Sequence, residues 1–203
     1  MPPSARPSPL GLAVLALLCG GPLHPYRMQR LLKEWGKDQV INVGQRSSLY
    51  KTIDRLGESG LVAVRQTERP HQYPERTVYE ITDDGRRFVL EWLTEMLSSH
   101  RNEYPSFPAA LSFAMLLGPK GALSALRNRL PSLQAVVREL RATVEGYSPE
   151  LPRVTLLETE YQLAVTEAEL RWVEQIVAEL TSGSLSWTYE DFASAAAVYL
   201  DEA

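Results

Sequence analysis

Between positions 45 and 51 the chain gathers Gln45, Arg46, Ser47, Ser48, Tyr50 and Lys51. Arginine and lysine reach phosphate oxygens or the acceptor edge of guanine, glutamine pairs with adenine, and serine and tyrosine hydroxyls bond phosphate oxygens. A second group follows in Arg69, His71, Gln72 and Arg76, whose donors suit phosphate or minor-groove contact. This is chemistry of recognition rather than of bond cleavage. Either group alone is equally a solvated surface, so the surrounding elements must decide.

Leu49, Ile53 and Leu56 recur at i, i+4 and i+7, which predicts a helix over about 45–59 with one apolar face turned inward. Arg46, Ser47, Tyr50, Lys51 and Asp54 then share the outward face. Upstream, Leu10–Cys19 reads as an apolar helix buried beneath two others. A second helix starts near Pro22 or His24 and runs to about Trp35, with Met28, Leu31, Leu32 and Trp35 on one stripe. Gly36 and Gly60 end the second and third helices. Downstream, 61–66 and 77–81 alternate as short strands, and 66–76, with Pro70 and Pro74, forms an ordered loop between them. Thr82 caps a further helix to about Ser98, and Asp83 and Asp84 suit its positive end. Helix, helix, helix and a two-stranded wing make a winged helix-turn-helix over 10–99, which sets the helix over 45–59 in a major groove and the wing on the backbone or minor groove.

Residues 1–9, with four prolines and two serines, are expected to form a flexible tail. Pro105 and Pro108 mark a boundary. Leu123, Leu126, Leu130, Leu133, Val137, Leu140 and Val144 then alternate spacings of three and four, a heptad seam that Pro131 is expected to kink or break. A partner helix over about 154–180 carries Leu157, Tyr161, Ala164, Ala168, Trp172, Ile176 and Leu180 along one stripe. Apolar faces this broad are simplest to cover with a second copy, so 105–203 reads as an antiparallel helical dimerisation domain with Leu157, Tyr161, Ala164, Ala168 and Trp172 at the interface. Packing within one chain is the alternative. A short helix is expected after Gly183. The whole is a mainly α chain.

The net charge of −4 at first argues against nucleic acid, but its distribution matters more. Residues 1–100 carry 13 Lys+Arg against 11 Asp+Glu, and residues 101–203 carry 8 against 14. The basic surplus sits with the helix-turn-helix pattern. Cys19 is the only cysteine, so no internal disulfide or cysteine metal site is possible, and a buried thiol in a cytoplasmic protein, nucleoid-associated when DNA-bound, is expected. Arg6 before Leu10–Cys19 imitates a signal peptide, and Leu17-Leu18-Cys19-Gly20 a lipoprotein site. Leu18 is too large for the latter, and the run falls short of the roughly 20 residues a membrane helix needs. Ser47 and Ser48 have no histidine near in sequence, and His24, His71 and His100 lack metal-ligand spacing. No glycine-rich phosphate loop follows a strand. No enzyme activity, cofactor, metal or membrane contact is expected.

Leu10-Gly11-Leu12, Gly21-Pro22-Leu23-His24-Pro25-Tyr26, Ser48-Leu49-Tyr50 with Arg55-Leu56, Gly60-Leu61-Val62, Arg69-Pro70 and Tyr79-Glu80-Ile81-Thr82-Asp83-Asp84-Gly85 together resemble the PadR family of bacterial transcriptional regulators. The resemblance covers about residues 8–97 and extends more weakly over the helical second half. Pro25 and Lys51 depart from it, standing where glycine and proline are common. The resemblance implies a homodimer, usually a repressor, on a near-palindromic operator of double-stranded DNA, with a small aromatic or drug-like effector. It places Arg46, Ser48 and Tyr50 as contacts of the third helix and Arg69 as the wing contact. Tyr26 would brace the second helix near the DNA backbone, and Trp92 would face the effector. A transcriptional activator and a winged-helix protein-interaction module are the alternatives.

Overall fold

The computed structural model describes residues 7–43, 46–68, 76–191 and 193–194, and for Arg46, Thr67, Glu68 and Arg76 the backbone alone. The chain divides into two compact units, Met1–Asn102 and Glu103–Ala203.

The first unit runs α1 (Pro9–Cys19), α2 (Pro25–Glu34), α3 (Arg46–Glu58), β1 (Val62–Glu68), β2 (Arg76–Ile81) and α4 (Asp83–Ser98). Ser8 Oγ accepts from the Gly11 amide at 3.1 Å and starts α1. His24 Nδ1 accepts from the Arg27 amide at 3.1 Å, so α2 begins at Pro25, whose missing N–H costs nothing in a first turn. The core joins Val14, Leu15 and Leu18 of α1 to Met28 and Leu32 of α2, and to Leu49, Ile53 and Leu56 of α3. Leu61, Val62, Ile81, Val89 and Trp92 close it.

Two side chains depart from the sequence expectation. Cys19 is exposed rather than buried. It shares with Ala16 the face of α1 left open, because α3, α4 and β2 pack on the other faces. Trp35 is 58% exposed, because α2 ends at Glu34 and Trp35 already belongs to its cap.

The strands pair antiparallel from Val62 opposite Ile81 to Glu68 opposite Arg76, with a bulge between Val64 and Gln66. Leu23 extends the sheet by exchanging both backbone hydrogen bonds with Tyr79, at 3.0 and 2.9 Å. The Thr82 hydroxyl donates to the Gly60 carbonyl at 2.7 Å and accepts from the Gly85 amide at 3.0 Å, so it fastens the end of α3 to the start of α4. A Cβ on Gly85 would lie 2.2 Å from the Leu61 carbonyl oxygen. Only glycine lets α4 start this close to the root of β1.

The second unit contains α5 (Ser106–Leu111), a 3-10 turn at Ala114–Leu117, α6 (Gly118–Glu145), a 3-10 turn at Arg153–Leu156 and α7 (Leu157–Ser182). The heptad seam of α6 is inward as expected, with Leu126, Leu133, Val137 and Leu140 buried. Pro131 does not break it, and the helix runs on to Glu145. Arg127 meets Thr181 at 3.0 Å and Arg141 meets Glu167 at 2.5 Å, so α6 and α7 run antiparallel. The stripe expected along α7 divides. Leu180 is buried and Ile176 packs on the hairpin core, whereas the portion from Leu157 to Trp172 faces outward. Past Gly183, the Trp187 indole N–H donates to the Met115 carbonyl at 3.0 Å. Helical backbone resumes at Tyr189, where Thr188 and Asp191 cap each other's backbone amides. Residues 195–203 of the expected closing helix lie outside the described residues. Among the described residues no helix is long and apolar enough to cross a membrane.

Candidate nucleic-acid interface

Leu49, Ile53 and Leu56, all at most 2% exposed, pin one face of α3 to the core. Helical geometry then leaves the opposite face open. Ser47, Tyr50, Lys51 and Asp54 are exposed there, and Ser48 is half-buried at its edge. The face therefore presents one ammonium, two hydroxyls and one carboxylate, with Arg46 opening the helix on its described backbone. Gln45, Arg69 and His71 lie outside the described residues. Arg76 starts β2, and its side chain lies outside them as well.

Neighbouring elements hold this face in position. The Gln29 side-chain amide, 9% exposed, donates to the Val43 carbonyl at 3.2 Å and so ties α2 to the connector before α3. Tyr26 is 57% exposed, and its ring stacks on His24 with centroids 6.2 Å apart. Tyr26 is therefore accessible at the start of α2. Tyr79 of β2 lies within electrostatic reach of Asp54 and Tyr50 of α3. Partial burial, then the Asp54 carboxylate and Tyr50, push its phenol above the ordinary tyrosine range. Arg65 occupies the bulge in β1 and pairs with Glu80 at 3.5 Å. Neither Gln29 nor Tyr79 carries a sequence signal of its role. Each is one polar residue inside an apolar stripe, and only the tertiary contact reveals it.

Trp92 is 3% exposed. Its ring lies against Gly11 of α1 and edge-on to Phe88, centroids 6.2 Å apart. It offers no open face to an effector, and the packing assigns it to the core of the first unit. In the second unit Leu157 is 49% exposed, Tyr161 70% and Trp172 40%, and Ala164 and Ala168 are exposed too. Trp172 meets Phe107 of α5 edge-on, and Arg129 of α6 lies 3.8 Å above that phenylalanine ring while bonding Glu169 of α7.

Among curated proteins none matches the chain significantly. The chain is similar in fold to several solved structures. One is the crystal structure of Bacillus subtilis PadR in complex with operator DNA, at 21% identity and a TM-score of 0.64, covering 84% of this chain and 98% of that one. Another is Bacillus subtilis PadR in complex with p-coumaric acid, at 20% identity and TM-score 0.62, covering 87% and 99%. A third is the Vibrio cholerae virulence activator AphA, at 20% identity and TM-score 0.65, covering 85% and 98%. The buried face of α3, the wing strands and the capped α4 fall within residues 14–91, which match the sequence model of one family. That family is described as the transcriptional regulator PadR-like family, and the match covers residues 14–91 of this chain.

Proposed function

We propose that the chain is a sequence-specific DNA-binding regulator that works as a homodimeric repressor and is relieved by a small-molecule effector. The observation that carries this reading is α3 itself, pinned by Leu49, Ile53 and Leu56 while Ser47, Tyr50 and Lys51 stand open within residues that match a transcriptional-regulator family. The operator-bound relative supports DNA as the partner, and the p-coumaric acid complex of the same relative supports a small aromatic acid as the class of effector. Two copies would set two α3 helices in successive major grooves, roughly 34 Å apart. Phosphate contacts from Ser47, Tyr50, Arg69 and His71 supply affinity, while Arg46 and Lys51 read base edges.

The test is a binding titration with the DNA upstream of the protein's own gene, at rising salt. Tight binding that falls with salt is expected, and Arg46→Ala costs about 1–3 kcal/mol if that side chain reads a base. Salt-insensitive or absent binding would instead favour a protein-interaction module. An activator is the second reading, favoured by the likeness to a structure described as a virulence activator. A reporter driven by the bound promoter separates the two by the sign of its response when the gene is deleted.

A further inference from the structure

The open face of α3 carries a carboxylate among its donors. At about 100° per residue, Ser47, Lys51 and Asp54 fall within about 60° of arc, opposite Leu49, Ile53 and Leu56. They span about 10 Å along the axis, roughly three base-pair steps. Lys51 and Asp54 are both exposed. Among the described residues, the ion pairs of the first unit run between other side chains and leave both out. Glu58, one turn further, is the last residue of α3. It lies at the end fastened through Gly60 to Thr82, away from the end whose residues meet base edges. Asp54 is thus the carboxylate that a groove-bound α3 carries to the DNA.

That position is costly unless the DNA answers it. A carboxylate accepts hydrogen bonds and donates none. Phosphate oxygens repel it, so against the backbone it lowers affinity on every sequence. In the major groove only two groups donate, the N4 amino group of cytosine and the N6 amino group of adenine. Adenine N6 stands between two acceptors, its own N7 and O4 of the paired thymine, and both repel a carboxylate. Cytosine N4 has an acceptor on one side alone, O6 of the paired guanine, and that oxygen suits an ammonium. Lys51 supplies one three residues earlier, about 4.5 Å along the axis, so the two side chains reach the same or adjoining base pairs.

We propose, building on the DNA-binding reading, that Asp54 is a specificity-determining residue: its carboxylate accepts from N4 of a cytosine in each operator half-site, beside the position of Lys51, and its charge disfavours sequences that lack that cytosine.

The test uses the full chain to select duplexes from a pool randomised over an operator length, and repeats the selection with Asp54→Asn. Asparagine keeps the shape of the side chain but pairs with adenine through N6 and N7. The parent should prefer cytosine at one position of each half-site by about tenfold or more. Asp54→Asn should lose that preference, move it to adenine, leave the other positions alone and bind unrelated duplex more tightly. Asp54 is exposed, so thermal unfolding of the variant should match the parent. Tyr79, whose phenol feels the Asp54 charge, provides the control: Tyr79→Phe should keep the cytosine. A Tyr79→Phe chain that shifts as Asp54→Asn does would make Asp54 a partner of the wing strand and overturn direct readout. An Asp54→Asn chain with the parent's preferences throughout would overturn the proposal while leaving DNA binding standing. A parent chain that enriches no sequence from the pool would remove the DNA-reading function itself, and this role of Asp54 with it.

Discussion

Lys51 and Trp92 are turned opposite ways by their helices, one to the open face of α3 and the other into the core. Lys51 is exposed on the open face of α3. As a phosphate or base contact it should matter through charge, so Lys51→Ala should weaken DNA binding and lower the salt slope by about one unit, read by fluorescence anisotropy in a salt series. An equal loss on every sequence marks a phosphate contact, and a loss confined to one base position marks readout. Trp92, 3% exposed, is a packing residue, so Trp92→Ala should cost about 3–5 kcal/mol in urea unfolding. A variant with unchanged stability would return Trp92 to the effector role that family resemblance implies. Residue type and helical spacing sufficed to identify the outward face of α3. They did not suffice for Cys19, Trp35 or Trp92. An apolar residue's burial at a helix end or on a crowded stripe depends on which neighbour arrives there, and that is decided by tertiary packing.

At the scale of elements, α1 through α4 and both strands lie within a few residues of where periodicity, caps and glycines put them. Their signals are local: Thr82 and the glycine ends act within one turn. The short α5 escaped, since six residues that include Pro108 carry less than two turns of pattern. Pro131 misled for a different reason. Its missing N–H and ring are local costs, whereas the seam through Leu126, Leu133 and Val137 is long enough to hold the helix through them. Pro131→Ala should therefore stabilise α6, by roughly 1–3 kcal/mol, seen as a higher thermal midpoint. The 3-10 turn before α7 is tied by Arg153, whose hydrogen bond to Glu160 lowers that carboxyl below its ordinary range. A depressed acid contributes its tie above the ordinary glutamate range near about 4.3 and loses it as pH falls through the lower folded value. Arg153→Met should return the Glu160 titration, followed by NMR, to the usual range. A titration that stays low would assign the effect elsewhere.

Across the whole chain the charge is split, with a small basic surplus in residues 1–100 and the acidic excess in residues 101–203. A single copy offers DNA a modest positive surface, so affinity should rest on two reading helices acting together. Tyr161→Ala, which leaves α3 untouched, should then weaken binding to a full operator far more than binding to a half-site. Equal loss on both would separate the exposed face of α7 from DNA recognition. The Thr82 hydroxyl has a consequence of a different kind. It is shared between the last carbonyl region of α3 and the first free amide of α4, and Gly85 lets the root of β1 press between them. Opening any one of these three exposes the backbone groups of the other two. The end of α3, the base of the wing and the start of α4 should exchange their amide protons as one cooperative unit, with a common opening free energy rather than as three fraying ends.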